Sequence, residues 1–505
     1  MRESEVFPMD EHNELLVENT HPPHWANPEP ADRYNVVVIG AGTAGLVTAS
    51  GAAGLGARVA LVERDLFGGD CLNVGCVPSK CIIRSSRVVR EIRDAARYGI
   101  SASGEPRVDF SAVMERMRRL RARISKHDAV SKFADEGVDV FLGEGRFVGS
   151  HGVEVDGVRL NYDKAVIATG SRPRKSGVEG IEEAGYQTNE TIFNLTERPD
   201  RLAVIGGGPL GCELAQAFQR LGSEVTILER SGQFLRREDR DAAELLAESF
   251  REDGINVMLN STAQRVTAEG DEKIVHVDVD GETETVRVDG ILVGIGRQPN
   301  VASLNLEAAG IEYDEHHGVE VDDRLRTSNH DVFAAGDCCL KYKFTHTADA
   351  AARIAVQNAL FWGRKKFSTR TIPWCTYTDP EIAHVGMYEK DAEEEGIEVA
   401  TFSQPLDEVD RAIADGEDRG FVKVHVKEGT DTILGATVVA RHAGEMLSEI
   451  TTAMVGEVGL GSLANVIHPY PTQAEAIRHV ADAYNRTRLT PLAQKLTSSL
   501  MSWRR

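Results

Sequence analysis

The 505-residue chain is short of cysteine and of basic charge. Seven cysteines in that length do not make the disulfide framework of a secreted scaffold. Lysine and arginine number 57 against 79 aspartates and glutamates, a net charge of −22, and no basic stripe offsets it, which excludes a nucleic-acid surface. The start, Met1-Arg2-Glu3-Ser4-Glu5, is acidic and lacks an apolar run, so no signal peptide is expected and a reducing cytoplasm is the expected location. Only residues 35–57 are charge-free for long enough to imitate a membrane span, and six glycines argue against one. No resident metal is expected. With 41% hydrophobic and 27% charged residues the composition is that of a globular protein, and the length predicts about three domains.

Two of the few cysteines lie close together, in Gly68-Gly69-Asp70-Cys71-Leu72-Asn73-Val74-Gly75-Cys76-Val77-Pro78-Ser79-Lys80. Five steps along one helix would separate their Cα atoms by about 8.6 Å, beyond the roughly 7 Å a disulfide tolerates. Cys71 is therefore expected on irregular backbone that Gly68, Gly69 and Gly75 permit. Pro78 reads as the first residue of a helix beginning just after Cys76, which puts Cys76 at a helix N-terminus where the dipole favours a thiolate. One thiol exposed for exchange and one held as an anion is a redox arrangement.

Upstream, the apolar run Val36-Val37-Val38-Ile39 leads into Gly40-Ala41-Gly42-Thr43-Ala44-Gly45, and a second strand, Arg58-Val59-Ala60-Leu61-Val62-Glu63, ends in an acid. Glycines that admit a pyrophosphate, a helix N-terminus to bind it and an acid for the ribose hydroxyls form a dinucleotide fingerprint in its required context. It repeats: Val204-Ile205-Gly206-Gly207-Gly208-Pro209-Leu210-Gly211 opens a second copy and Glu224-Val225-Thr226-Ile227-Leu228-Glu229 closes it. In both copies the acid falls 23 residues after the first glycine (63 − 40 and 229 − 206). Two nucleotide sites with a dithiol between them predict a relay from nicotinamide to flavin to disulfide.

These features resemble the FAD-dependent pyridine nucleotide-disulfide oxidoreductases, which include dihydrolipoamide dehydrogenase, glutathione reductase and mercuric reductase. The likeness runs from about 34 to 487. It is carried by the C-x4-C with its Pro-Ser-Lys, by Ala168-Thr169-Gly170-Ser171-Arg172-Pro173, by Gly294-Ile295-Gly296-Arg297-Gln298-Pro299-Asn300 and by Val332-Phe333-Ala334-Ala335-Gly336-Asp337. The resemblance implies an α/β fold of two Rossmann-like domains, one inserted in the other, plus a C-terminal α+β dimerisation domain. The FAD domain is expected at 34–170 and 296–368, the NAD(P) domain at 171–295, the dimerisation domain at 369–487. Gly40, Gly42, Gly45, Glu63, Gly170, Gly336 and Asp337 would bind FAD, with Asp337 on the ribityl chain. Gly206, Gly208, Gly211, Glu229, Arg230 and Gly296 would bind NADH or NADPH. Lys80 would pair with Glu213 beside the flavin, Cys71 would be the interchange thiol and Cys76 the one touching the flavin. A homodimer sharing its active sites is implied.

Toward the C-terminus such reductases carry His-Pro-Thr-x-x-Glu, whose histidine protonates the departing thiolate. Here the run is His468-Pro469-Tyr470-Pro471-Thr472-Gln473-Ala474-Glu475. Aligned on Pro-Thr-x-x-Glu475, Tyr470 takes the histidine's place and His468 lies two residues upstream. A phenol of pKa about 10 is a poor acid-base catalyst near pH 7. Mercuric reductases also have tyrosine there, so the expected acceptor is a thiol-bound metal ion or something related. Their C-terminal cysteine pair is absent, since no cysteine follows Cys375, and so is any cysteine-bearing N-terminal module. The vicinal Cys338-Cys339 pair, Cys81, Cys212 and Cys375 read as core. The alternatives are a dihydrolipoamide dehydrogenase or other disulfide reductase using His468, and a non-catalytic flavoprotein partner of a membrane complex. Glu229 favours NADH while Arg230 and Arg236 favour NADPH.

Three further expectations concern less distinctive segments. Residues 1–33 lack periodicity and read as a mobile arm. Residues 110–136 read as one long helix, with Met114, Met117, Leu120 and Ile124 at helical spacing and a solvated arginine face. In the tail 488–505, Leu492, Leu496 and Leu500 make an apolar stripe, and residues 486–505 hold five basic groups and no acid, the pattern of a helix touching an anionic membrane.

Overall fold

A computed structural model describes residues 6–101, 104, 106–361 and 363–504. The chain folds as two compact units, Met1–Gly232 with Gly254–Arg370, and Gln233–Asp253 with Thr371–Arg505.

The first unit contains two parallel sheets. Strands Val138–Leu142, Val59–Glu63, Tyr34–Ile39 and Val158–Ile167 lie side by side in parallel, and Val332–Ala334 pairs with the last of them. The five residues Val36, Val37, Val38, Leu61 and Val62 are at most 1% exposed, as strands covered on both faces must be. Residues 35–57 are thus a strand, a glycine turn and the helix Thr43–Gly54; among the described residues no helix is long and apolar enough to cross a membrane. The second parallel sheet runs Asn256–Met258, Glu224–Leu228, Arg201–Ile205, Gly290–Val293. A three-stranded antiparallel sheet, Ser261–Glu269, Glu272–Val279 and Glu282–Val288, precedes its last strand in sequence.

The second unit is built on a five-stranded antiparallel sheet, Pro373–Thr376, Glu381–Gly386, Ile433–Ala440, Phe421–Lys427 and Val399–Pro405. Helices Ala443–Val455 and Glu475–Thr487 bury Leu447, Ile450, Ile477 and Val480 in its core. Residues 233–253 group with this unit although they fall inside the segment expected for the nicotinamide domain. Phe234 stacks on Phe250, Glu238 accepts from Trp374 and Tyr388, and Lys423 pairs with Asp239 and Asp241.

Two expectations are corrected. Residues 10–33 are an ordered part of the first unit rather than a mobile arm: helix Glu11–Thr20 has Asn13, Leu16 and Thr20 fully buried, and Trp25 donates to the Val140 carbonyl at 3.1 Å. The segment 110–136 is not one helix. Helix Phe110–Ser125 ends in a 3-10 turn, Lys126–Asp128, before a short helix, Val130–Asp135. Met114 and Met117 are buried, but so are Arg118 and Arg121 on the face expected to be solvated.

The tail is the helix Pro491–Trp503, capped by the Thr490 hydroxyl, and none of its residues is buried.

Candidate active site

Two consecutive helices carry the thiols. Gly68 (φ 87°) and Gly69 (φ 55°) turn the chain into a one-turn helix, Gly69–Asn73, that holds Cys71. The backbone there is helical rather than irregular. A break at Val74-Gly75 does what the spacing required, since the second helix, Cys76–Arg93, starts on Cys76 itself. Pro78 is its third residue, not its first. A side chain on Gly75 would bring Cβ to 2.8 Å from the Asp70 carbonyl oxygen, so the break demands glycine. Asn189 donates to the Val74 carbonyl at 3.3 Å.

Cys76 is exposed and Cys71 half-buried, the reverse of the expectation that the anionic thiol's partner is the exposed one. Hydrogen bonding from the Cys71 thiol lowers the Cys76 pKa to about 6, with the Thr345 hydroxyl and the Lys80 ammonium assisting. Cys76 Sγ lies 3.4 Å from Thr345 Oγ1. The same bond, burial and the neighbouring thiolate push Cys71 up. In the dithiol state one proton therefore sits on Cys71 and the charge on Cys76, at the positive end of a helix. Lys80, one turn along, reaches Glu213 Oε2 at 2.8 Å, and Glu213 is 5% exposed. A cavity of about 380 Å³ is lined by Cys76, Lys80, Cys81, Arg84 and Arg116, so Cys81 is half-buried at this cavity rather than in the core. Cys212 and Cys338 are buried; Cys339 and Cys375 are half-buried.

The two fingerprints have matching geometry. Gly40 (φ 104°) and Gly206 (φ 108°) leave their strands in the left-handed region. A Cβ on Gly45 would lie 1.7 Å from the Gly40 oxygen, and one on Gly211 2.2 Å from the Gly206 oxygen. Glu63 accepts from Ala41 N (2.6 Å) and Asp65 N (2.8 Å); Glu229 accepts from Gly207 N (2.8 Å) and Ser231 N (2.9 Å). Gly42 and Gly208 cap the helices Thr43–Gly54 and Pro209–Arg220 without a side-chain bond, which leaves the first-turn N–H groups to a ligand's phosphates. These cradles fit two dinucleotides.

Gly170 and Gly296 belong to two of the three remaining motifs, and these two form one antiparallel ribbon, Ser171–Pro173 against Arg297–Pro299. Asp337 Oδ2 accepts from the Ser171 hydroxyl at 2.7 Å, just after Gly336 (φ 84°). Arg297, which sequence reasoning assigned no role, bonds Asp70 beside Cys71 and lies 3.7 Å from Asp337. Its place in the Gly-Ile-Gly-Arg motif was the available signal.

In the C-terminal unit, Tyr470 is 71% exposed and donates to Asp410 Oδ2 at 2.8 Å, a bond that raises its pKa. The His468 side chain is 4% exposed, with Nε2 2.9 Å from Glu449 Oε1. Glu475 is buried and accepts from Arg478 at 2.9 Å rather than pairing with either ring. Arg230 and Arg236 are both exposed.

The sequence model of the pyridine nucleotide-disulphide oxidoreductases matches residues 34–352, and that of the same family's dimerisation domain matches 372–481. The chain is 35% identical to a mercuric reductase of Bacillus cereus over 88% of its own length and 70% of the relative's. It is 34% identical to a dihydrolipoyl dehydrogenase of Chlamydia muridarum over 88% and 95%. Among solved structures, the HOCl-induced flavoprotein disulfide reductase RclA from Escherichia coli superposes with a TM-score of 0.80 at 30% identity, covering 89% of this chain and 99% of that one. LpdA from Mycobacterium tuberculosis gives 0.81 at 29%, covering 90% and 100%.

Proposed function

Because the chain belongs to the pyridine nucleotide-disulphide oxidoreductase family, whose members use FAD and NAD(P)H, we propose that it delivers two electrons through Cys71 and Cys76 to a thiol-bound soft metal ion such as the mercuric ion. It is an FAD-dependent oxidoreductase acting on a sulfur group or a metal ion, and its dimerisation domain pairs it with a second copy. Enzymatic relatives over nearly the whole length remove the non-catalytic reading.

Bound FAD supplies the exchange between a two-electron hydride donor and the one-sulfur-at-a-time chemistry of the thiols. We assign Gly40, Gly42, Gly45, Glu63, Gly170, Gly336 and Asp337 to it, and Gly206, Gly208, Gly211, Glu229, Arg230 and Gly296 to the nicotinamide nucleotide. The chain's own residues do the rest. Lys80, held by Glu213, places a cation one turn from Cys76, and the helix N-terminus with Thr345 holds that sulfur as an anion. Cys71 keeps the proton until it attacks or binds the acceptor. The overall reaction balances as NAD(P)H plus mercuric ion giving NAD(P)+, a proton and the reduced metal.

One observation favours a metal ion over an organic disulfide. A leaving thiolate needs a proton, and the group that stands where the family's histidine stands is Tyr470, exposed and with its pKa raised, while His468 is turned inward on Glu449. The thiolate ligands of a soft metal ion leave by ligand exchange with the protein's own sulfurs and return to the solvent thiol pool, a step that needs no proton from a protein acid. The second reading, a lipoamide or other disulfide reductase, draws on the His468–Glu449 pair, which could supply that proton. The discriminating experiment gives one preparation mercuric ion with excess thiol, lipoamide and oxidised glutathione in turn. Metal-dependent NAD(P)H oxidation that persists in both His468→Ala and Tyr470→Phe supports the metal reading; lipoamide turnover lost in His468→Ala overturns it.

The tail supports a peripheral contact with an anionic membrane. Leu492 is 69%, Leu496 64% and Trp503 83% exposed along a helix flanked by Arg486, Arg488 and Arg504. Co-sedimentation with anionic liposomes that is unchanged by deleting 488–505 discards it.

A further inference from the structure

The family match begins at residue 34, and the helix Glu11–Thr20 lies ahead of it. Its buried face meets the redox loop. Leu16 and Val17, with Val6, share one apolar cluster with Leu66, Leu72 and Ala122, and Val77 packs against it. Leu72 adjoins Cys71 in sequence and Val77 adjoins Cys76, so the cluster reaches both thiol-bearing helices.

A polar link joins the same elements. Arg121 is 1% exposed. It donates from Nη1 to the Asn73 carbonyl at 2.7 Å and from Nη2 to Asn13 Oδ1 at 2.7 Å. Asn73 donates in turn through Nδ2 to the carbonyls of Phe67 and Gly69, both at 2.9 Å, and so ties its own loop. A buried guanidinium is costly to desolvate and is retained where its fixed fork sets geometry. Among the described residues both of its bonds go to neutral oxygens, so attraction to a carboxylate in direct contact does not account for its place. The helix is anchored on either side of Asn13: Arg118 Nε donates to Asp10 at 2.6 Å, and Asn19 donates to Ser125 Oγ at 2.9 Å.

We propose that the N-terminal helix is a strap for the Cys71–Cys76 loop, and that Arg121 and Asn13 are positioning residues for disulfide formation. The strap acts only if these cysteines cycle between disulfide and dithiol, so it rests on the function proposed for them. Reduction breaks the S–S bond with two electrons from NAD(P)H and one proton, which goes to Cys71, leaving Cys76 as the thiolate. Reclosing requires the two sulfurs to meet again, with their Cα atoms within about 7 Å. A loop pinned through Asn73, Leu72 and Val77 has surrendered that conformational freedom in advance, so the dithiol state gains little by opening. Loosening the strap lets the dithiol spread and makes the disulfide easier to reduce.

The test uses full-length flavin-loaded protein equilibrated in thiol–disulfide buffers of stepped potential, with free thiols trapped by alkylation and the Cys71–Cys76 peptide weighed. Asn13→Ala, Leu16→Ala and Arg121→Lys are each expected to shift the equilibrium about tenfold toward the dithiol, which is about 30 mV for a two-electron couple. Flavin content and melting temperature are measured alongside. Equilibria within about twofold of the parent in Asn13→Ala and Leu16→Ala overturn the strap, even where the melting temperature falls, because that marks a merely structural helix. Should Arg121→Lys not fold, the other two still decide. A parent chain with no trappable disulfide at any potential defeats the underlying redox reading instead.

Discussion

At Gly40 and at Gly206 the chain leaves a buried parallel strand in the same left-handed turn, and Ala168 N and Gly294 N close the neighbouring strands on Ile39 O and Ile205 O, both at 2.8 Å. Beyond their acids the two copies diverge. After Glu63 the chain enters the thiol loop, which is stitched back onto its own fingerprint: Gly68 N donates to Ala41 O at 2.9 Å, and a Cβ on Gly69 would lie 2.7 Å from Gly42 Cα. After Glu229 the chain leaves for the second unit within four residues. The first cradle is thus joined to the redox loop by backbone contacts, and under the proposed assignment its twin takes the nicotinamide nucleotide. The ion pair Lys80–Glu213 links them, because Lys80 lies just past the thiols and Glu213 lies on the helix of the second fingerprint.

The comparison breaks most visibly at the third glycines. Gly45→Ala forces the larger displacement and is expected to give colourless protein, with FAD affinity down more than about 100-fold, or about 2.7 kcal/mol. Gly211→Ala should stay yellow and raise the KM for NAD(P)H about tenfold or more, or about 1.4 kcal/mol. The absorbance of the purified proteins and steady-state kinetics read both, and loss of flavin in Gly211→Ala would reverse the assignment of the copies. Next is the link between them. Glu213→Gln leaves Lys80 without its carboxylate and, with Lys80 partly solvated, should cost about 1–2 kcal/mol, seen as roughly tenfold slower reduction by NAD(P)H in stopped flow.

A third measurement isolates what only the first copy has. Cys76 has its pKa lowered to about 6, so in the reduced protein the thiolate persists above that pH and is lost as pH falls through it. The long-wavelength thiolate-to-flavin band should therefore titrate away with a midpoint near pH 6 and be absent in Cys76→Ser; a midpoint near the ordinary thiol value of about 8.5 contradicts the geometry. The smallest effect is expected at the exposed Arg230. Arg230→Ala should change the ratio of kcat/KM for NADPH over NADH by less than about fivefold, about 1 kcal/mol for a solvated charge.

The fingerprints and the thiol pair were legible because each is a local pattern whose spacing dictates backbone geometry, whereas the Lys80–Glu213 pair, 133 positions apart, was expected only from the family resemblance. The ends of the chain were not. In Glu11–Thr20 the buried face includes Asn13 and Thr20, polar groups satisfied by Arg121 and by the helix's own Leu16 carbonyl, so no apolar period announces it. In Pro491–Trp503 the leucine stripe is regular and stays in solvent. Periodicity reports that a helix can bury a face, not that a partner is there. The arginine face of Phe110–Ser125 misled for the same reason, since Arg118 and Arg121 are inward on account of oxygens contributed by residues about 110 positions earlier.

Glycine positions, strand hydrophobicity and cysteine spacing are short-range constraints, and from them alone came two nucleotide cradles and a dithiol at a helix start. Which side chains stand around those thiols, that helix Glu11–Thr20 packs beside their loop, and that Tyr470 faces out while His468 faces in, depend on contacts between segments far apart in sequence. Packing and desolvation decide such contacts, and they exist only once the chain has closed on itself.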